Sequence, residues 1–166
     1  RGIPMISFNA PKRVNARESL SWEDMKWLRE KWQGKLLIKG VLSGADAETA
    51  ASVGLDGLIV SNHGGRQLDT AISPLKALTE IVAAKGNMAI LFDGGIRRGT
   101  DVIKALALGA DFVFLGRPFL LAAAIAEEAG VRHAADILRD EIYRNLALLG
   151  ALNLDDLDGR LVFDPR

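Results

Sequence analysis

Residues 35 to 61 read Lys-Leu-Leu-Ile-Lys-Gly-Val-Leu-Ser-Gly-Ala-Asp-Ala-Glu-Thr-Ala-Ala-Ser-Val-Gly-Leu-Asp-Gly-Leu-Ile-Val-Ser. An apolar run from Lys35 to Gly40, a helix-period stretch from about Ala45 to Val53 that stops at Gly54, and a second apolar run from Gly57 to Ser61 form a β/α/β unit. Runs that are apolar at nearly every position suit strands buried on both faces, as in a parallel sheet. Two more such runs are Met88 to Asp93 and Phe112 to Gly116.

The helices between them are punctuated. One begins at Ser21, with Asp24 at its third position and Trp22, Met25, Leu28 and Trp32 as a stripe, and ends by Gly34. Ser73 caps another, with Pro74 at its first position and Gly86 after Lys85 as terminator. Thr100 or Asp101 starts the next, closed by Gly109. A short apolar helix from Phe119 to Ala129 then precedes a long one from Val131 to Leu149, and Asn153 to Arg166 reads as a tail.

The chain also echoes itself. Lys39-Gly40, an Ala-rich helix, Gly54-Leu-Asp56 and a strand resemble Asp93-Gly94, a helix, Gly109-Ala-Asp111 and a strand, roughly 54 to 55 positions on. The expected fold is therefore α/β, with four β/α units making half of a (β/α)8 barrel of the TIM type, which typically takes roughly 250 residues. Four parallel strands alone leave two apolar edges, so a partner half, a second copy or a flattened open sheet is expected.

Composition narrows the function. The 166 residues carry 21 basic and 21 acidic side chains and 49% hydrophobic residues, as an ordered globular domain should. No long basic patch marks a nucleic-acid surface. With no cysteine and only two histidines, seventy positions apart, the chain lacks the means for a thiolate nucleophile and has a poor basis for a metal site. The longest apolar run, Phe119 to Ala126, is far short of the roughly 20 residues that cross a bilayer. Arg1-Gly2-Ile3-Pro4 has no signal-peptide layout and reads as the middle of a longer protein, and the lack of cysteine fits a cytoplasmic one.

Polar residues stand at the C-terminal ends of all four strands: Lys39, then Ser61-Asn62-His63, then Asp93, then Arg117. In parallel β/α folds that is the catalytic face. In Ser61-Asn-His-Gly-Gly-Arg-Gln-Leu-Asp69, Arg66 can hold a small carboxylate through two hydrogen bonds while His63 removes a proton beside it. A neutral imidazole satisfying loop carbonyls is the other reading of His63. The second histidine, His133, falls on the long C-terminal helix and reads as structural. Asp93-Gly94-Gly95-Ile-Arg97 and Gly116-Arg117-Pro118 each lead from strand to helix. Their glycines, helix N-termini and arginines suit a phosphate.

Leu-Ile-Lys-Gly-Val (37–41), Ser-Asn-His-Gly-Gly-Arg-Gln-Leu-Asp (61–69), Asp-Gly-Gly-Ile-Arg-Arg-Gly-Thr-Asp (93–101), Lys-Ala-Leu-Ala-Leu-Gly-Ala (104–110) and Leu-Gly-Arg-Pro (115–118) together resemble the FMN-dependent 2-hydroxy acid oxidoreductases. That family includes glycolate oxidase, lactate and mandelate dehydrogenases and flavocytochrome b2. The resemblance runs from about Leu20 to Gly150 and matches the fifth to eighth strands of the family barrel. It implies oxidation of a small (S)-2-hydroxy acid to the 2-oxo acid, with His63 as base and Arg66 on the substrate carboxylate. It also implies Lys39 near the N1–C2 edge of the flavin, Ser61 against its ring system, and Asp93, Gly94, Gly95, Arg97, Gly116 and Arg117 on its ribityl chain and phosphate.

The same resemblance divides the chain into a loop segment at 1–18, a half-barrel at 19–150 and a tail at 151–166. Ile3 to Arg17, apolar and basic, falls where some family dehydrogenases carry a membrane-contacting loop. Gly65 stands where several oxidases have Ala, which leans toward a dehydrogenase. The family's first four strands, with substrate tyrosines and an aspartate that orients the histidine, lie outside this sequence. A histidine without that carboxylate loses stabilisation of its imidazolium, so activity is expected only when another half is supplied. A half-barrel that binds FMN or phosphate without turnover, or a self-associating fragment, remains an alternative.

Overall fold

The computed structural model describes residues 20 to 162. The expected loop segment at 1–18 and the last four residues of the tail fall outside that range. The order of elements is α1 (Trp22–Lys31), β1 (Leu37–Val41), α2 (Gly44–Val53), β2 (Gly57–Ser61), α3 (Pro74–Ala84), β3 (Ala89–Asp93), α4 (Gly99–Ala107), β4 (Phe112–Phe114) and α5 (Arg117–Leu149). The four strands form one parallel sheet in the order β1-β2-β3-β4, with both edges open among the described residues. This is the expected half-barrel, with strands one or two residues shorter than the apolar runs at three of the four positions.

One face of the sheet makes the core. Leu58, Val60, Ile90 and Phe92 are buried against Ala47, Ala50 and Val53 of α2 and Ala77, Leu78 and Ile81 of α3. Each large side chain so covered stabilises the fold by roughly 1.5–3 kcal/mol. The alternate residues point to the other face, where Leu37, Phe112 and Phe114 remain 39%, 55% and 39% exposed. The two phenylalanine rings meet edge to face, with centroids 5.1 Å apart.

The sequence echo has a structural counterpart. At the start of β1 the Leu36 N–H donates to the Asp56 carboxylate at 2.9 Å, and at the start of β3 the Ile90 N–H donates to that of Asp111 at 2.7 Å. Lys35 pairs with Asp56 at 2.8 Å, and Lys85 lies 3.6 Å from Asp111. The N-termini of α2 and α4 are each met by a carboxylate from the next helix. Gly44 N–H donates to Glu80 at 2.8 Å and Gly99 N–H to Glu141 at 2.7 Å. Absence of a side chain lets that next helix approach, since a Cβ on Gly99 would stand 2.6 Å from the Glu141 Cβ.

Three local expectations are modified. Ser73 is the N-cap of α3, but its carbonyl accepts from Lys76 and Ala77 while its hydroxyl makes no capping bond. The two expected C-terminal helices are the halves of α5, separated by non-helical backbone at Ala126 and Glu127 rather than at Gly130. Gly130 instead packs against the Ala122 carbonyl, where no side chain fits. The tail contains two short 3-10 turns, Leu154–Asp156 and Gly159–Leu161, the second against α4.

Candidate functional site

The C-terminal ends of the strands open onto a cavity of about 430 Å³. Lys39, His63, Arg66, Asp93, Gly94, Gly95, Arg97, Gly116 and Arg117 all line it. Ser61, the remaining expected site residue, is fully buried beneath, where it ties the strand ends together. Lys39 Nζ donates to Ser61 Oγ at 2.9 Å and to the Asp93 carboxylate, Ser61 Oγ donates to that carboxylate at 3.0 Å, and the His63 N–H donates to Ser61 Oγ at 3.0 Å. One hydroxyl on β2 therefore connects β1, β3 and the start of the histidine loop.

That loop is built on left-handed backbone. His63, Gly64 and Gly65 have φ of 55°, 66° and 74°, conformations glycine adopts freely and histidine more readily than most residues. Asn62 holds the turn through its side-chain oxygen, which accepts from the Gly64 N–H at 3.0 Å. Arg117, at the first turn of α5, donates to the Gly64 carbonyl at 3.4 Å and so links the last strand's loop to the histidine loop.

Charge on the cavity wall is one-sided. Lys39, Arg66, Arg97 and Arg117 face a single carboxylate, Asp93, which already accepts from Lys39. Among the described residues no carboxylate pairs with Arg66, Arg97 or Arg117. Three guanidinium groups without a carboxylate partner around one cavity suit anions at more than one position.

The expectation that both strand-to-helix loops offer a helix N-terminus to a phosphate needs correction. Backbone N–H groups just before and at the start of α4 are taken internally. Those of Arg97 and Arg98 donate to Asp101 at 3.0 Å, and that of Gly99 donates to Glu141. Arg98, also bonded to Glu141 at 2.7 Å, holds the Glu141 carboxyl below the usual carboxylate range. What α4's loop leaves for an anion is the Gly94–Gly95 turn and the Arg97 guanidinium. A Cβ on Gly95 or on Gly116 would meet nothing within 4 Å, so ligand atoms have room against both backbones.

Residues absent from the sequence-based set also line the cavity, namely Gly64, Gln67, Ile96, Phe114, Pro118 and Leu120. Phe114 was accessible to sequence reasoning, because alternation along β4 puts it on the face opposite Val113. Leu120 carries no such signal, since its exposure depends on where α5 leaves the sheet. His133 is exposed on α5 and is not among the residues lining the cavity.

A sequence model described as FMN-dependent dehydrogenase matches residues 5–164. The L-lactate dehydrogenase of Pseudomonas paraeruginosa is 48% identical over 145 residues, covering 87% of this chain and 38% of that protein. That of Ectopseudomonas mendocina is 46% identical over 154 residues, covering 92% and 41%. Among solved structures, the monotopic membrane protein (S)-mandelate dehydrogenase superposes with a TM-score of 0.85 at 46% identity, over 89% of this chain and 39% of its own. The chain thus spans about two fifths of the length of the relatives it matches. With the matched region covering nearly every residue, and the histidine, lysine and glycine-arginine loops meeting at one cavity, the chain belongs to the FMN-dependent dehydrogenase family.

Proposed function

We propose that this chain supplies the cofactor-phosphate, base and carboxylate-binding half of an enzyme that oxidises a small (S)-2-hydroxy acid to the 2-oxo acid with FMN. The observation that carries this reading is the cavity wall of four cationic side chains with an imidazole among them. FMN suits that wall. Its phosphate calls for the Gly94–Gly95 turn, Gly116, Arg97 and Arg117, while the substrate carboxylate calls for a separate cation, Arg66. Asp93 offers a hydrogen-bonding group for the ribityl chain, while Ser61, buried and already bonded to Lys39, Asp93 and the His63 N–H, supports the site from beneath instead of meeting the ring system as the resemblance implied.

Bound FMN would supply the acceptor for the electron pair that leaves the 2-carbon. His63 takes the hydroxyl proton where the carbon's hydrogen travels with that pair as hydride, or the carbon's own proton where the pair travels alone and the hydroxyl proton is lost separately. Arg66 holds the carboxylate so that the reacting carbon stays beside the imidazole. Lys39 places a fixed positive charge on the β1 side of the cavity, where it favours charge developing on the reduced cofactor.

Among the described residues no carboxylate is hydrogen-bonded to the His63 ring. The rest of the barrel is therefore assigned the task of stabilising the imidazolium. Two open sheet edges and the exposed Leu37, Phe112 and Phe114 support a second half as partner, carried on a longer chain, on a separate chain or by a second copy. Contact with a membrane surface through the apolar and basic stretch Ile3 to Arg17 belongs to the same reading, supported by the monotopic character of the mandelate dehydrogenase relative.

The test is anaerobic reduction of FMN added to the chain, alone and after mixing with the first-half barrel of a relative, using lactate, glycolate or mandelate. Bleaching is expected with the second half present and is abolished by His63→Asn with FMN still bound. Asparagine is the chosen replacement because it tolerates left-handed backbone. Bleaching that survives the substitution overturns the base assignment. The missing carboxylate on His63 favours one rival, a half-barrel that binds FMN without turnover. FMN binding with no bleaching under any of these conditions would establish it.

A further inference from the structure

We propose that Gly40 is a positioning residue for His63, the space left by its missing side chain being the seat of the imidazole edge. The proposal deepens the reading of His63 as base and concerns what fixes the ring in place. Gly40 is the irregular residue of β1: Lys39 pairs with Ile59 and Val41 with Val60, so Gly40 has no partner on β2. Such a bulge turns the strand locally and re-aims the residues beyond it. Its φ of 101° is one that glycine adopts readily and other residues rarely.

A Cβ built on Gly40 would stand 2.9 Å from His63 Cε1, 3.7 Å from Nδ1 and 3.8 Å from Nε2. The ring therefore presents its Cε1 edge to the β1 backbone, with the two nitrogens nearly equidistant on either side. Among the described residues neither ring nitrogen is hydrogen-bonded, so no polar contact sets the ring's orientation. Packing on Gly40 does so from one side, and the Ser61 hydroxyl fixes the backbone N–H of His63 from the other. At 2.9 Å an added methyl group and the ring cannot both keep their places. The imidazole, being a side chain on rotatable bonds, is the part that moves.

The chain has only two histidines, so its proton NMR spectrum holds two imidazole Hε1 signals, and His63→Asn identifies one by deleting it. In the unsubstituted chain a strong nuclear Overhauser effect is expected between His63 Hε1 and a Gly40 Hα. Gly40→Ala should remove that contact and shift the His63 signal while leaving that of His133 in place. In the chain combined with a complementary half, the same variant should lower kcat by about 10- to 100-fold with a much smaller change in KM, because Arg66 still holds the carboxylate. Absence of the Overhauser effect in the unsubstituted chain overturns the proposal, and so does an unmoved His63 signal in a folded Gly40→Ala chain. If Gly40→Ala fails to fold, the Overhauser measurement decides alone. Because it needs no flavin and no turnover, failure of the proposed activity is distinguishable from failure of this placement.

Discussion

The Lys39 ammonium on β1 is bound to the Asp93 carboxylate on β3, reaching across β2 above the buried Ser61 hydroxyl that both of them contact. The pair fastens β1, β2 and β3 together close to their C-terminal ends. Lys39 and Asp93 side chains remain 42% and 25% exposed, so solvent discounts the interaction. A double-mutant cycle with Lys39→Met and Asp93→Asn should give a coupling of about 0.5–1 kcal/mol in urea unfolding. Zero coupling would mean that Ser61 alone organises the strand ends.

Acid should loosen the start of β1 in a defined window. Hydrogen bonds from Lys35 and from the Leu36 N–H lower the Asp56 carboxyl from 3.8 to about 2. A carboxyl depressed in the folded state binds protons more readily once unfolded. Its stabilisation is therefore complete above about pH 4 and is lost as pH falls toward 2. Asp56→Asn should lower stability at neutral pH and flatten the pH dependence between these limits, as read by thermal unfolding at several pH values.

Two glycines in equivalent places should respond differently to the same change. Gly99→Ala puts a methyl group 2.6 Å from the Glu141 Cβ and 2.8 Å from the Ile142 backbone nitrogen, so α5 has to shift as a body. For Gly44→Ala the nearest atoms all belong to the Glu80 side chain, at 2.8 Å for Oε1 and 2.9 Å for Cγ. The first should cost about 1–3 kcal/mol and the second clearly less, measured as the change in urea midpoint.

Phosphate recognition separates from flavin-ring recognition by a choice of ligand. Arg97→Ala or Arg117→Ala should each weaken FMN binding by about 10-fold, the scale of one lost charge-assisted hydrogen bond, and leave riboflavin affinity unchanged. Calorimetric titration with both ligands reads the difference. Equal losses for the two would move these arginines off the phosphate.

Strands and caps were legible in the sequence because their signals are local. Gly57 to Ser61 is an apolar run bounded by turn residues, and Ser21 with Asp24 is a capping pair within one turn. The Ser21 N–H does donate to Asp24, at 2.7 Å. The strand-end polar residues were legible too, since a parallel sheet brings its C-terminal ends to one side. What stayed hidden depends on distant partners. Glu80 and Glu141 lie 36 and 42 positions from the glycines whose N–H groups they accept from. Nothing near them announces that α4's N-terminus is already occupied. Gly40 was similarly silent, for a strand-end glycine carries no chemistry until the ring that rests on it is in view.

The recurrence of one contact at Leu36–Asp56 and Ile90–Asp111 divides this half-barrel into two quarters of like construction. In the first quarter β2 receives β3, the opening strand of the next quarter, along its outer edge; β4 ends the second quarter with the corresponding edge bare. The fold thus has a modular joint, and the bare edge of β4 is the matching socket. A third quarter copied from residues 35 to 88 and joined after the second has a template already laid for its first strand.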